Sequence, residues 1–537
     1  MRAFLRVLCG LVSLFVVVSV GSGVAGRAAV RDFDDVPSGH WSYGYIAELR
    51  ERGVTDGIGS NLFGMGRSVT RAEFAAFMCK LMGWPLVAPE AGHFSDVLPG
   101  VWHYSYIETA FAHGALSAEA TFRPEEAILR ADMAIMLVRT LTYGAVAERL
   151  KTLPSPFTDV TTDIGYIHIA KTLGLIEGVG GGRFDPKGAA KREEAAAILI
   201  RMIRMLAGAT PFLNGFYAVS SYSQMSAVSA LDAVSFGWAA LTAAGETAVF
   251  RYAPPTGWRE PFDAAAGRLR LLSVMAETAE DFANLGRGAL RDETIQAIAR
   301  ILDTDGFDGV TVDFEGLGAD LKGDFTDFLA RLRQVLGPEA TIYAAVPPQR
   351  RPGLASYGGY DYRAIGEVAD KVILMAHDYN AKQLTAADMA RGVTETPLAP
   401  LDEVYYALCA VTDPVTGVAD PSKVLLQINF AVAQWQVKGG QTDNARPYTP
   451  TYAKVAERLR QSASTVTWME GYQSPRLTFT EDGTDNVLGY ENTRSVRAKA
   501  DLARYFGIGG LSLWRLGTIP DFEAGIGLDV LGTIVKK

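Results

Sequence analysis

The sequence predicts a multidomain protein in which a trio of α-helical repeats precedes an α/β (β/α)8 barrel. Three observations predict it. A unit of about 60 residues is written three times in the first part of the chain, the mark of a repeat architecture. After it, eight short β-rich apolar runs alternate with helical stretches. One of those runs ends in carboxylates at alternate positions.

At 537 residues the chain exceeds one ordinary core, so two or more domains are expected. With 48% hydrophobic and 21% charged residues it reads as folded rather than disordered. The net charge of -9 gives no electrostatic reason to expect nucleic acid or anionic lipid as a partner.

The N-terminus carries Arg2 and Arg6, an apolar run over residues 7–20, and small residues up to Ala29. This layout predicts a secretory signal peptide over 1–29, with cleavage after Ala25 or Ala28, and hence a secreted protein with no membrane segment after cleavage. An uncleaved anchor is the alternative, though the apolar run is short for a span. Cys9 falls in the signal, which leaves Cys79 and Cys409. Two thiols in different domains make no disulfide framework and read as small buried hydrophobes. The six histidines show no paired ligand spacing, so neither metal nor cofactor is expected.

The repeat units cover 31–83, 92–145 and 155–205. They open on Phe33-Asp-Asp-Val36, Phe94-Ser-Asp-Val97 and Phe157-Thr-Asp-Val160. A first helix follows, expected over 41–52 and 102–113 in the first two copies. A Gly-rich turn segment then leads to a second helix at Val69-Thr-Arg-Ala-Glu73, Leu129-Arg-Ala-Asp132 or Lys191-Arg-Glu-Glu194. These residues resemble the S-layer homology domain. The resemblance implies a pseudo-threefold unit that binds a pyruvylated secondary polymer of Gram-positive-type walls. Arg71, Arg130 and Arg192 would be its binding residues, since a guanidinium fork matches a carboxylate. The alternative is that they pair locally with acids such as Glu73 or Asp132. The copies differ: Leu129 stands in the Thr70 position, and the third copy lacks the Gly-His-Trp before its first helix.

Residues 206–211 form a short connection to the remainder, 213–537. Strands are expected near 215–219, 233–238, 269–275, 309–315, 341–346, 371–376, 423–430 and 510–514, which fits the barrel. The stretch 438–491 is longer than one crossover needs and predicts an insertion after strand seven.

The chemistry sits in Asp308-Gly-Val-Thr-Val-Asp-Phe-Glu315. In an extended strand Thr311, Asp313 and Glu315 share one face, and Glu315 stands at the C-terminal end, where barrels place reacting groups. Two carboxylates so close in an apolar strand hold a proton between them, with one pKa raised. A solvated or cation-holding acidic cluster is the plainer reading.

The run resembles the glycoside hydrolase family 18 pattern at Asp308, Gly309, Asp313 and Glu315. Leu374-Met-Ala-His-Asp378 resembles that family's strand-six element, and Trp514 its sugar-floor tryptophan. With Ala344-Ala-Val-Pro-Pro348 and Tyr490-Glu-Asn-Thr-Arg-Ser495, the arrangement is most similar to spore-germination and cortex-lytic N-acetylglucosaminidases. The resemblance implies substrate-assisted retaining hydrolysis, outside the usual two-carboxylate scheme. Glu315 would be acid and then base, and Asp313 would hold the substrate acetamide. Asp308 would support them from the strand's start. Met375, His377, Asp378, Thr311 and Trp514 would contact sugar.

Two positions depart from the pattern, Thr311 for an aspartate and His377 for a tyrosine. A hydroxyl can bond Asp313 but cannot take up its charge, so Asp313 should ionise more easily than in a three-carboxylate stack and activity should persist to lower pH. The function these readings predict is a wall-anchored hydrolase of β-linked N-acetylglucosamine glycans, peptidoglycan or chitin-like. The alternative is a non-catalytic carbohydrate-binding or structural surface-layer protein.

Overall fold

The computed structural model describes residues 32–208, 212–285, 288–352, 354, 356–394, 397–520 and 524–535. The expected signal peptide lies outside them.

In the trio, helices Tyr43–Glu51, Tyr104–Ala112 and Ile164–Thr172 are the first of each repeat; Arg71–Met82, Arg130–Thr140 and Arg192–Leu206 are the second. The first two begin two residues after Trp41 and Trp102, whose rings stay exposed. Each opening motif works through its aspartate. Asp35 accepts backbone N–H bonds from Phe63, Gly64 and Met65, Asp96 from Phe122 and Arg123, and Asp159 from Phe184 and Asp185. These bonds hold each turn segment beside its helices and bury Phe63, Phe122 and Phe184. Thr70 caps the helix Arg71–Met82 with a full capping box to Glu73. Leu129 cannot do so, and the helix Arg130–Thr140 has no side-chain cap. Single β-bridges at Ser68 with Lys191, Thr70 with Ala127 and Leu129 with Ala189 join the three copies into a ring.

The barrel is built from Phe212–Tyr217, Ala233–Ala244, Leu269–Ala276, Gly309–Phe314, Thr341–Val346, Lys371–Leu374, Val424–Asn429 and Gly510–Trp514. Each strand pairs in parallel with the next, and the eighth closes on the first. Thr247–Tyr252 adds an antiparallel hairpin to the second strand. In strand four, Val310, Val312 and Phe314 turn outward, where Phe314 packs on Phe282, Phe325 and Phe328. Gly309 is required there, because a Cβ would lie 1.9 Å from the Thr341 carbonyl oxygen.

An antiparallel sheet of five strands, with the helix Tyr452–Leu459, rises between strands seven and eight. It begins at Ala433, ahead of the expected 438, because Ala433–Lys438 pairs with Thr484–Gly489. At its foot, Glu491 and Lys499 form a buried ion pair of 2.9 Å, with Ser495 donating to the same carboxylate.

Cys79 and Cys409 are free, and burial pushes both thiols up to about 12, so neither acts as a nucleophile at neutral pH. Among the described residues no helix is long and apolar enough to cross a membrane, and no group of three His, Cys, Asp or Glu is arranged to hold a metal.

Candidate active site

The barrel interior is layered. Near the middle, Asn214 donates to Ser512 at 2.9 Å, Ser235 donates to Asn214 at 3.2 Å, and Ser235 shares a hydrogen bond of 2.8 Å with Thr311. These four residues come from strands eight, one, two and four and form one fully buried polar row. Beside it packs an apolar cluster that includes Phe216, Tyr343, Ile373 and Met375. Trp514 is partly buried against the cluster, its ring edge-on to Phe216 with centroids 5.0 Å apart. The Trp514–Arg515 peptide is cis.

Asp313 stands one step above the polar row, 2% exposed, and its Oδ1 meets no hydrogen-bond donor among the described residues. Its carboxyl is pushed up to about 7, first by burial and then by the charge of Glu315, with His377 opposing. Glu315 begins the connection after strand four, tied by its N–H to the Ala276 carbonyl at 2.8 Å. The Tyr360 hydroxyl donates to the Phe314 carbonyl at 2.7 Å and accepts from Leu317 N–H at 3.3 Å, bracing both sides of Glu315. The Glu315 side chain is open to solvent at the rim. Neighbours still crowd its carboxyl, so desolvation raises its pKa; His377 and Lys382 oppose, while Asp378 and Glu277 add. Burial and the Glu315 charge favour a proton on Asp313, and burial also raises Glu315, which places a carboxyl at the rim with a buried partner beneath it.

His377 faces them from the end of strand six. Its Nε2 lies 2.6 Å from Gln427 Oε1, and its Nδ1 lies 3.1 Å from Asp378 Oδ2. Asp378 also accepts from Lys382 at 2.9 Å and from Asn429 at 3.3 Å. Burial works to raise the Asp378 carboxyl, but the His377 hydrogen bond and charge, with Lys382, hold it well below the usual carboxylate range. One side of the mouth therefore holds a proton and the other a fixed negative charge.

Asp313, Glu315, Met375, His377, Asp378 and Trp514 thus lie at the C-terminal end of the barrel, on strands four, six and eight. Thr311 lies in the row below, its hydroxyl on Ser235 rather than on Asp313. Asp308 does not join them at the mouth. It sits exposed at the opposite end of strand four, accepting the Arg270 N–H at 2.8 Å. Asp232 does the same for Leu213 and Asp370 for Ile342, so this aspartate before a strand is a register device of the barrel floor. Six residues of extended chain, roughly 20 Å, separate it from the rim.

The repeat arginines tie the three copies to one another. Each reaches the next copy rather than a local acid. Arg71 bonds Asp132 and the Phe122 carbonyl, Arg130 bonds Glu194 and the Phe184 carbonyl, and Arg192 bonds Glu73 at 2.8 Å and the Phe63 carbonyl at 2.9 Å. All three are buried and stack on those phenylalanines. Arg71 also lines a groove of about 260 Å³ with Asp132, Arg139 and Phe94.

Gln427 and Asn429 are site residues that the motif reading missed. Two amides at alternate positions of the apolar strand Val424–Asn429 are the signal that could have found them.

The family description Glycosyl hydrolases family 18 matches residues 270–518. The S-layer homology domain matches residues 32–75, 93–134 and 156–196. The S-layer protein EA1 of Bacillus anthracis is 29% identical over 37% of this chain and 23% of its own length. A putative sporulation-specific glycosylase of Bacillus subtilis, YdhD, is 25% identical over 43% of this chain and 52% of its own. The chain therefore spans about half or less of the length of these curated relatives. The crystal structure of the Bacillus cereus spore cortex-lytic enzyme SleL superposes with a TM-score of 0.50 at 16% identity, covering 61% of this chain and 74% of that one, a likeness of fold. From the ring of repeats, the closed barrel and these matches together, the chain carries three S-layer homology domains followed by a domain of glycosyl hydrolases family 18.

Proposed function

We propose that this chain is a cell-wall-anchored glycosidase that cleaves β-linked N-acetylglucosamine glycans, with Glu315 as general acid and then base. The observation that carries the reading is the pair itself: a buried Asp313 held up to about 7 and a rim Glu315 also raised, across from an ionised Asp378. Glu315 protonates the leaving oxygen. Asp313, with an unpartnered Oδ1, accepts the acetamide N–H while the substrate's own acetamide oxygen attacks the anomeric carbon. Glu315 then takes a proton from water as the oxazolinium ion opens. Trp514 lies under the sugar, and Met375, His377, Asp378 and the Thr311 row support it.

The repeats would hold the enzyme on a secondary wall polymer after secretion, which makes peptidoglycan the nearer substrate. Their groove at Arg71 and Arg139 is the place for an acidic ligand, and Arg130 and Arg192 would serve such a ligand in the other copies. Glu315→Gln should stop release of reducing ends from purified walls while the protein still sediments with them. Unchanged release would refute the assignment of the acid. Mass spectrometry of products from peptidoglycan and from chitin, compared side by side, tests the substrate.

A further inference from the structure

The trio does not hang from the barrel on a tether. It packs against the barrel helices Leu401–Val411 and Thr493–Tyr505. His168 Nδ1 lies 2.9 Å from the Tyr405 hydroxyl, and the rings of Tyr143 and Tyr505 meet edge-on at 6.1 Å.

Beside these contacts lies an ion cluster that both parts build. Asp402 and Glu403, in the first turn of Leu401–Val411, are 0% and 5% exposed. Two guanidinium groups face them. Arg351, from the segment after barrel strand five, donates from Nη2 to Asp402 at 3.1 Å and from Nε to Glu403 at 2.9 Å. Arg149, the last residue of the trio's helix Gly144–Arg149, donates from Nε to the same Asp402 oxygen at 2.8 Å. Its carbonyl accepts from Arg351 Nη1 at 3.3 Å, and its guanidinium lies 4.0 Å from the centre of the Tyr472 ring. Two buried carboxylates thus share two cations, one of them from the trio. Without Arg149, two buried negative charges would be left to Arg351 alone, a strongly unfavourable arrangement in a desolvated site.

The cluster borders the candidate active site. Arg350, next to Arg351, places its guanidinium 5.0 Å from the Tyr379 ring centre. Tyr379 follows His377 and Asp378 in the chain, and its N–H is held by the Leu398 carbonyl at 3.0 Å, three residues before the helix that bears Asp402.

We propose that Arg149 is a positioning residue for the barrel mouth: the helical trio, beyond anchoring, fixes the strand-five segment through Arg351 and the His377–Asp378 segment through Arg350 and Tyr379. The kinetic consequence rests on the hydrolase reading; the structural one does not.

The test uses the full chain and a soluble β-linked N-acetylglucosamine tetramer, so wall attachment plays no part. Arg149→Ala should lower kcat about tenfold or more, as misplacement by a remote substitution does. Arg149→Lys should restore part of it, and Arg52→Ala, at an exposed side chain capping the trio's helix Tyr43–Glu51, should leave it unchanged. Hydrogen exchange should quicken in peptides covering 341–352 and 374–384 in Arg149→Ala, and little elsewhere in the barrel. Wild-type kcat with wild-type exchange in those peptides would overturn the proposal. So would exchange that rises evenly across the barrel, the mark of a general folding defect. If wild type leaves the tetramer intact, the hydrolase reading fails, and local exchange alone decides the role of Arg149.

Discussion

Thr311 and Ser235 share a hydrogen bond of 2.8 Å directly below Asp313, whose Oδ1 meets no donor among the described residues. The hydroxyl that stands in the place of an aspartate is thus committed to the polar row and does not bond the carboxyl above it. Asp313 keeps its raised value through burial and Glu315. Thr311→Asp would put a second buried carboxyl in the row, repel charge on Asp313 and raise it further. The acidic limb of the kcat/KM profile should then move up by about one pH unit. Thr311→Asn, which adds no charge, should leave the limb in place. An acidic limb that stays put in the aspartate variant would show that Asp313 does not govern it.

The same burial makes Asp313 costly to the fold. Its folded value of about 7 lies above the ordinary 3.8, so between those pH values the native state binds a proton that the unfolded state does not. Stability from this residue is therefore present below about pH 4 and falls as pH rises toward 7. Asp313→Asn removes that loss. Relative to wild type, it should be more stable at pH 8 than at pH 4, by an order of a few kcal/mol. Thermal melts of both proteins across this range check it; a difference independent of pH would contradict the raised value.

How much of this was legible in the sequence follows from what kind of order each feature has. The repeats and barrel strands were readable because local pattern encodes them: period-2 runs, recurrent Phe-x-Asp openings and carboxylates at alternate positions. Alternation put Asp313 and Glu315 on one face of their strand; their proposed roles came from the family resemblance. Asp308 was readable as the residue at the strand's start, but its hydrogen bond to the Arg270 N–H, matched by Asp232 and Asp370 on other strands, depends on pairings that local pattern does not encode. The partners of Arg71, Arg130 and Arg192 lie about 50 to 130 residues away, so no local reading could find a ring closed through the next copy. Arg149 and Asp402, 253 residues apart, were invisible for the same reason.

The ring of repeats makes its own prediction. Arg192 is 2% exposed and lies between Phe63 and Phe77, with Glu73 on its Nη1. Arg192→Met fills much of the space but leaves the Phe63 carbonyl and the Glu73 carboxylate without their donor. The loss should be about 3 kcal/mol, in the range for removing one partner of a buried charge pair. Glu73→Gln, whose carboxylate is nearer solvent, should cost less. A drop in the melting temperature of the trio, larger for Arg192→Met, is the expected result. Equal melts for wild type and both variants would mean that the guanidinium does not close the ring.

Gln427 is the test of the mouth's other side. Its Oε1 receives His377 at 2.6 Å, and its Nε2 meets no acceptor among the described residues although the side chain is 2% exposed. Gln427→Leu removes the acceptor and leaves a buried ring N–H unpaired, a cost of about 1–3 kcal/mol. If His377 must be held for the reaction, that cost appears as a fall in kcat/KM of about tenfold or more. Gln427→Glu keeps an oxygen for His377 while replacing the free amide donor with a carboxyl. A loss confined to the leucine variant would assign the role to the orientation of His377; an equal loss in both would show that an acceptor oxygen for His377 is not sufficient and that the neutral amide is needed. Wild-type kinetics in the leucine variant would show that Asp378 and Asn429 hold the ring without Gln427.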